Sequence, residues 1–211
     1  MTSGTPIVFV VDDDPSVLRG LQRLLRSAGL TAEPFASARL FLERYDGNVA
    51  GCVILDLAMP GFDGLQMQQA LADRGSVLPI IFLTGHGDIP TSVQAMKAGA
   101  VDFLTKPVSD DELLAAVLNA IQRCEALYRA REEIAVIRLR VATLTPRERE
   151  VLAHLLSGKL NKQIAADLGT VEHTIKVHRA RVMQKMQVRT LAALVRLAER
   201  AGIEATPPTE S

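Results

Sequence analysis

Apolar runs alternate with segments of helical period through the first half of the chain. Five runs rich in β-branched or aromatic residues predict strands at 7–11, about 31–35, 52–57, 79–83 and 101–104. The segments between them predict helices at about 15–28, 37–45, 64–73 and 90–98, with a fifth helix beginning near Asp110. This alternation is typical of a parallel sheet with crossover helices, so we expect a doubly wound α/β fold with five strands.

A single long helix is predicted over the run from Leu113 to Leu139, which contains neither proline nor glycine. Apolar residues recur at helical spacing in its first half, which we expect to pack on the sheet. The second half is rich in Arg and Glu and predicts a solvated connector. A dimer stalk is the alternative, although the apolar positions keep no regular heptad.

The rest of the chain predicts an all-helical domain. Thr145, Pro146 and Glu148 form a capping box with proline at the first helical position. Four helices are predicted at about 146–157, 162–168, 171–186 and 191–200. We therefore expect an α/β domain over 1–120, a helical linker over 121–142, a helical domain over 143–203 and a disordered tail over 204–211.

Charge divides the chain in the same way. The 211 residues carry 24 basic and 24 acidic side chains, but residues 1–120 have 8 against 14 and residues 142–211 have 11 against 7. An acidic part joined to a basic part predicts a different partner for each. The N-terminus has no secretory pattern, and no apolar stretch is long enough for a membrane span, so we expect no membrane contact and a cytoplasmic location.

Polar side chains follow four of the predicted strands. Asp12 and Asp13 come after the first strand, Asp56 after the third, Thr84 after the fourth and Lys106 after the fifth. Because the carboxyl ends of parallel strands meet at one edge of a sheet, we expect these residues to be neighbours. Crowded carboxylates favour a bound cation, and oxygen ligands favour Mg²⁺. The set predicts phosphoryl transfer, whereas helix capping by Asp12 to Asp14 would explain only one strand end.

The first 120 residues resemble the receiver domain of bacterial two-component response regulators. The resemblance rests on these strand ends and on the loop motifs Met59-Pro60-Gly61 and Asp63-Gly64; the run from Thr84 to Pro90 is similar to the FixJ-like subgroup. It implies a sheet order of 2-1-3-4-5, a cis Lys106–Pro107 peptide, Mg²⁺ and a sensor histidine kinase. It also implies residue roles: phosphoacceptor Asp56, metal ligands Asp12, Asp13, Asp56 and the Ala58 carbonyl, switch residues Thr84 and Phe103, and phosphate-binding Lys106.

A basic helical pair follows in the second domain. Residues 161–189 hold 6 Lys or Arg against 2 acids, and a turn at Gly169 separates a short helix from a longer one. This order is that of a helix-turn-helix. At about 100° per residue, Ile175, Val182 and Met186 share a buried face. The opposite face then carries His173, Lys176, Val177, Ala180, Arg181 and Gln184, with Thr174 and Lys185 at the margin.

Two classes of DNA contact are predicted from these positions. Lys176 is the candidate for a guanine contact, and Val177 and Ala180 are candidates for thymine methyl groups, with His173 on the same face. Phosphate contacts are predicted for the flanking polar and basic residues Lys162, Thr174, Arg179, Arg181 and Lys185. The alternative is a small helical domain with a solvated basic face.

Residues 144–201 resemble the LuxR-type DNA-binding domain. The matching segments are Leu144–Leu152, Asn161–Ala165 and Thr174–Arg179, whereas Val171-Glu172-His173 departs from the usual small polar residues. The resemblance implies double-stranded promoter DNA as a partner and a homodimer when phosphorylated or on DNA, with RNA polymerase as a further partner.

Together the two resemblances predict a transcription factor controlled by phosphorylation, not an enzyme. Aspartyl-phosphate phosphatases and mutases on a similar sheet commonly need a second acid two residues after the nucleophile, and Ala58 occupies that position. The other alternative is a phosphorelay or protein-interaction module whose helical domain binds protein.

Overall fold

A computed structural model describes residues 5–47, 49–85 and 89–204. The chain divides into two compact units, Met1–Arg129 and Ala130–Ser211. This division falls inside the predicted linker, and the domain boundaries given above stay predictions. Apart from Glu204, the predicted disordered tail lies outside the described residues.

The first unit is built on a five-stranded parallel sheet with the order β2-β1-β3-β4-β5, which confirms the predicted fold class. Its strands are β1 Ile7–Val11, β2 Thr31–Phe35, β3 Gly51–Leu55, β4 Ile80–Thr84 and β5 Asp102–Thr105. Its helices are α1 Pro15–Ser27, α2 Ala38–Arg44, α3 Gly64–Asp73, α4 Ile89–Lys97 and the start of α5 Asp110–Ala142.

The sheet is covered on both faces. Alternate residues of β1 enter two different cores: Phe9 and Val11 pack with Phe41 of α2, and Val8 and Val10 pack with residues of α1 and α5. Strands buried on both faces are continuously apolar, which is why the runs lacked polar alternation. A slip of one residue would exchange the two faces, so the register of the strands, and with it the position of their ends, is strongly fixed.

Local signals set the beginnings and ends of the helices. Asp14 caps α1, with its carboxylate accepting from the Ser16 amide at 2.7 Å, and Pro15 takes the first helical position. The hydrogen bonds from Ser16 hold the pKa of Asp14 below its usual value. Gly29 and Gly99 close α1 and α4 with positive φ angles of 77° and 97°.

The second unit contains the end of α5 and four further helices. These are α6 Pro146–Leu156, α7 Asn161–Asp167, α8 Glu172–Lys185 and α9 Leu191–Arg200. The predicted capping box is present: Glu148 accepts from the Thr145 amide at 2.9 Å, and Thr145 accepts from the Glu148 amide at 3.3 Å. The unit's core includes the predicted stripe of Ile175, Val182 and Met186, all fully buried.

The sequence predicted a solvated connector in the second half of α5, but the last turns of this helix pack in the second unit. Ile137 is buried in the core of the second unit, with Val141 packed beside it. Glu133 forms an ion pair with Arg200 of α9. Leu127 and Leu139 are exposed, in keeping with the prediction. Ile137 and Val141 therefore anchor the end of α5 in the second unit, although the many charged residues of this segment predicted exposure to solvent.

The turn between α8 and α9 contains a backbone conformation that side chains disfavour. Gln187 has a φ of 56°, and its amide donates to the Gln184 carbonyl while the Val188 amide donates to the Met183 carbonyl, each at 3.0 Å. The pattern closes the end of α8 with a left-handed residue, a position usually taken by glycine.

Replacing Gln187 with glycine should therefore stabilise the protein. We expect Gln187→Gly to raise the free energy of unfolding by about 0.5–1 kcal/mol, because glycine adopts positive φ without steric cost. Urea unfolding followed by circular dichroism measures it. Ala180→Gly, at an exposed interior position of α8, is the control and should lower the same quantity by about 0.5–1 kcal/mol. A loss of stability in both variants would contradict the assignment of strain to Gln187.

Candidate functional site

The register of the sheet brings Asp12 and Asp56 together. Val11 pairs with Leu55 at the ends of β1 and β3, so the next residue of each strand is an aspartate. The Asp56 amide donates to the Val11 carbonyl at 2.9 Å, which extends the pairing by one residue. Both aspartates are buried, with exposed fractions of 4% and 7%.

Lys106 is shared between these two carboxylates. Its Nζ lies 2.8 Å from Asp12 Oδ2 and 3.3 Å from Asp56 Oδ1. Its amide donates to the Thr84 carbonyl at 2.8 Å, which attaches the β5 end to the β4 end. The Lys106–Pro107 peptide is cis, as predicted. Partial burial disfavours the ammonium, but the hydrogen bonds and charges of Asp12 and Asp56 outweigh it, so the pKa of Lys106 is raised.

The remaining carboxylate oxygens accept backbone hydrogen bonds. Asp12 Oδ1 accepts from the Asp14 amide at 2.9 Å, and Asp56 Oδ2 accepts from the Ala58 amide at 3.0 Å. Each of the four oxygens thus has at least one donor among the described residues. These contacts fix the orientation of both carboxylates before any ligand binds.

The donor set suits a hard cation. Two buried carboxylates lie together, and Asp13, the next residue in the chain, is exposed. Within the described residues, no three His, Cys, Asp or Glu side chains are already arranged around a common metal position. Mg²⁺ typically takes only one or two carboxylates and completes its shell with water and phosphate oxygens, so the chemistry of these residues fits it.

The predicted switch residues lie on the neighbouring strands. Thr84 ends β4 and is fully buried. Phe103 in β5 is partly buried, and its ring centroid lies 5.9 Å from that of Phe82 in β4. Of the five residues expected to be neighbours, Asp12 and Asp56 both contact the Lys106 ammonium, Thr84 is joined to Lys106 through the backbone, and Asp13 follows Asp12 in an exposed position. Phe103 packs against β4.

Gly64 contributes to the site in a way that the sequence did not predict. A Cβ atom added at Gly64 would lie 2.6 Å from the Asp56 carbonyl oxygen and 2.9 Å from the Phe82 ring. The first turn of α3 therefore packs directly against the backbone of Asp56. The Asp63-Gly64 motif was noted only as part of a loop, although a glycine within a predicted helix often has a packing reason.

The predicted DNA-contacting face of α8 is exposed. His173, Lys176, Val177, Ala180 and Arg181 are all exposed, opposite the buried stripe. Two of the predicted contact residues already have partners: Lys176 Nζ lies 3.1 Å from Glu172 Oε1, and Arg179 Nη1 donates to Asn161 Oδ1 at 3.2 Å. Thr174 is partly buried and Lys162 is exposed on α7.

Lys185, a predicted phosphate contact, has two partners within its own domain. Its ammonium lies 2.6 Å from Oε2 of the buried Glu148 and donates to the Thr143 carbonyl at 3.0 Å. The hydrogen bond from Lys185 lowers the pKa of Glu148. Because a buried carboxylate needs a partner, Lys185 is held within the domain, and its position at the margin of the buried stripe did not reveal this.

Comparison with known protein families gives one match for each half of the chain. The profile of the response regulator receiver domain matches residues 8–118, and that of the luxR family of bacterial regulatory proteins matches residues 142–198. The chain belongs to the response regulators. Response regulators that join a receiver domain to a LuxR-type domain are transcriptional regulators, not enzymes.

Relatives of this response regulator align over most of its length. Nodulation protein W of Bradyrhizobium diazoefficiens is 48% identical over 199 residues, covering 94% of this chain and 88% of that protein. Transcriptional regulatory protein FixJ of the same organism is 44% identical over 196 residues, covering 93% and 96%. The structure of response regulator StyR has a TM-score of 0.84 at 47% identity, covering 93% of this chain and all of that one.

No helix in the described part of this response regulator has both the length and the apolar character needed to cross a membrane.

Removing the Lys106 ammonium should leave the repulsion between the Asp12 and Asp56 carboxylates without compensation. We expect Lys106→Met to lower the free energy of unfolding at neutral pH by about 1–3 kcal/mol, because Asp12 and Asp56 lose their shared donor. The folded-state pKa of Lys106 is raised above 10.5. The wild-type advantage is therefore full below pH 10.5 and is lost as the pH rises through the folded-state pKa.

Urea unfolding of wild type and variant across this pH range measures the difference. Lys97→Met removes the same charge from an exposed position of α4 and should show no such pH dependence. A deficit in Lys106→Met that stays constant into the alkaline range would contradict the role given to its ammonium.

Gly64→Ala should destabilise the first unit. Its methyl group would displace the Asp56 backbone, and we expect the free energy of unfolding to fall by about 1–3 kcal/mol. Gly20→Ala is the matched control, since nothing lies within 4 Å of a Cβ atom at this helical position. There the alanine should raise stability by about 0.5–1 kcal/mol. Thermal and urea unfolding both test the contrast, and equal effects would refute the close packing.

Proposed function

We propose that this chain is a transcription regulator in which phosphorylation of Asp56 by a sensor histidine kinase controls sequence-specific DNA binding. One observation carries this function: the buried carboxylates of Asp12 and Asp56 share the Lys106 ammonium at the carboxyl edge of the sheet. Family membership supports both partners, because a receiver domain implies a kinase and a LuxR-type domain implies DNA.

The chemical step is transfer of a phosphoryl group to one Asp56 oxygen. A bond forms between that oxygen and phosphorus while the bond from phosphorus to the kinase histidine nitrogen breaks, and the nitrogen keeps the electron pair. Lys106 then neutralises negative charge on the phosphoryl oxygens, and the Thr84 hydroxyl donates to one of them. Positioning and charge neutralisation of this kind supply most of the catalysis in phosphoryl transfer.

Receiver domains generally bind Mg²⁺ at the phosphorylation site. Here Asp12, Asp13, Asp56 and the carbonyl of Ala58 would hold it. When bound, Mg²⁺ supplies positive charge that offsets the carboxylates and the phosphoryl oxygens. The protein's own preparation for this group is the pair of carboxylates already oriented by backbone donors.

Phosphorylation adds about −1.5 to −2 charge units beside Lys106, which must redistribute its hydrogen bonds. We infer that Thr84 and Phe103 shift in response and change the surface of α4 and α5. Exposed apolar residues on α4 support a contact surface there, since Ile89, Val93 and Met96 follow one face of the helix. Homodimer formation and contact with RNA polymerase belong to the same proposal.

DNA reading is assigned to the exposed face of α8. Lys176 would contact guanine, Val177 and Ala180 would contact thymine methyl groups, and His173 lies on the same face. The phosphate contacts are Lys162, Thr174, Arg179 and Arg181. Exposure of His173, Lys176, Val177 and Ala180 opposite the buried stripe supports this assignment. The relatives named above are bacterial, and we place the protein in the bacterial cytoplasm.

Asp56→Asn tests the switch. With a small acyl phosphate as donor and Mg²⁺ present, wild type should bind promoter DNA about tenfold more tightly than without donor, within the usual range of coupling between sites. Asp56→Asn should keep its basal binding and lose the response, as measured by fluorescence anisotropy. Asp111→Asn, an exposed acid in the first turn of α5, is the control and should respond like wild type.

If phosphodonor does not change the DNA affinity of wild type, the proposed switch is wrong, but the proposed DNA-binding role is unaffected. Absence of DNA binding by wild type under all conditions would favour a helical domain that binds protein.

A further inference from the structure

A surface pocket of about 480 Å³ lies beside α8, between the start of α7 and the start of α9. Three cationic residues line it, and no carboxylate does: Lys176, Arg179 and Arg189. Its other lining residues include Asn161, Met183 and Leu191. Cations grouped around a concave surface repel each other when no anion is bound, and they raise the local concentration of anionic groups.

Two of the three cations have partners that orient them. Arg179 donates to Asn161 Oδ1 at 3.2 Å, which uses one of its nitrogens and leaves the others available. Lys176 pairs with Glu172 of the preceding turn at 3.1 Å, and both side chains are largely exposed. Arg189, in contrast, is exposed and forms no ion pair within the described residues. It is the cation whose hydrogen-bonding capacity the domain itself leaves unused.

The backbone fixes Arg189 at the edge of the pocket. The left-handed conformation of Gln187 turns the chain sharply after α8. Arg189 follows two residues later, directly before Thr190, the N-cap of α9. Thr190 caps this helix by accepting from the Ala193 amide at 3.1 Å, and Thr190 and Leu191 line the pocket. The N-terminal end of a ten-residue helix adds partial positive charge to the same place.

We propose that this pocket binds one phosphate group of the DNA backbone, with Arg189 as its main ligand and Arg179 beside it. The inference rests on the proposed function and extends the DNA interface past α8 to the start of α9. DNA is favoured because the pocket shares Lys176 and Ala180 with the face assigned to base contacts. A phosphate held there would fix the register of Lys176 on the duplex, as backbone contacts commonly do.

Salt dependence distinguishes a direct phosphate contact from general charge attraction. The full-length chain, treated with phosphodonor, is titrated with a duplex that wild type selects from a random-sequence library and with an unrelated duplex. For Arg189→Gln we expect the slope of log affinity against log salt to fall by about 1 on both duplexes. Affinity should fall by about tenfold on both, because a phosphate contact carries no sequence information.

Arg196→Gln is the matched control, because it removes one exposed arginine of α9 that lies outside the pocket. It should keep the wild-type slope, and Arg189→Lys should recover part of the lost slope. Unchanged circular dichroism and unfolding temperature would establish that Arg189→Gln is folded.

The outcomes separate this inference from the function on which it rests. Wild type that binds neither duplex overturns both. Wild type that binds while Arg189→Gln keeps the full slope, or while Arg196→Gln loses as much, overturns the pocket alone. If inorganic phosphate binds wild type but not Arg189→Gln while both keep the full salt slope on DNA, the pocket belongs to a free anion, and the assignment to DNA is overturned.

Discussion

The Lys106 ammonium, shared by Asp12 and Asp56, is the interaction on which the first unit's function depends. Two buried carboxylates at neighbouring strand ends would repel each other, and burial would penalise the charge of both. One cation between them offsets part of each cost, with Nζ–oxygen distances of 2.8 and 3.3 Å. The ends of four strands, β1, β3, β4 and β5, must be in place for this contact, so the site is a product of the sheet and not of a local motif.

Most of this sheet could be predicted because its strands are buried on both faces. Continuous apolar runs mark such strands, and the residue after each run is where the chain reaches the carboxyl edge. The pairing of Val11 with Leu55 then makes Asp12 and Asp56 neighbours without further information. Helix starts were predictable for another reason: the Thr145–Glu148 box and the Asp14–Pro15 cap use contacts within four residues.

Contacts that depend on a distant partner were not predictable in this way. Lys185 lies at the margin of the α8 stripe, where a side chain can turn inward or outward with the same periodicity. The Lys185 side chain pairs with the buried carboxylate of Glu148, 37 residues earlier, and this contact holds it within the domain. The same holds for Ile137, which the surrounding arginines and glutamates of α5 obscured, and for Gly64, whose importance lies in the missing Cβ atom against Asp56.

The charge balance at the sheet edge also limits how the proposed switch can work. Lys106 is the only cation that pairs with either carboxylate among the described residues, so Asp12 and Asp56 together already exceed it by one charge. A phosphoryl group on Asp56 adds about −1.5 to −2 units beside the same ammonium. Lys106 already directs two of its three N–H groups to Asp12 and Asp56, so one ammonium does not offset the added charge. Positive charge from Mg²⁺, which receiver domains generally bind at the phosphorylation site, would offset this excess in the proposed mechanism.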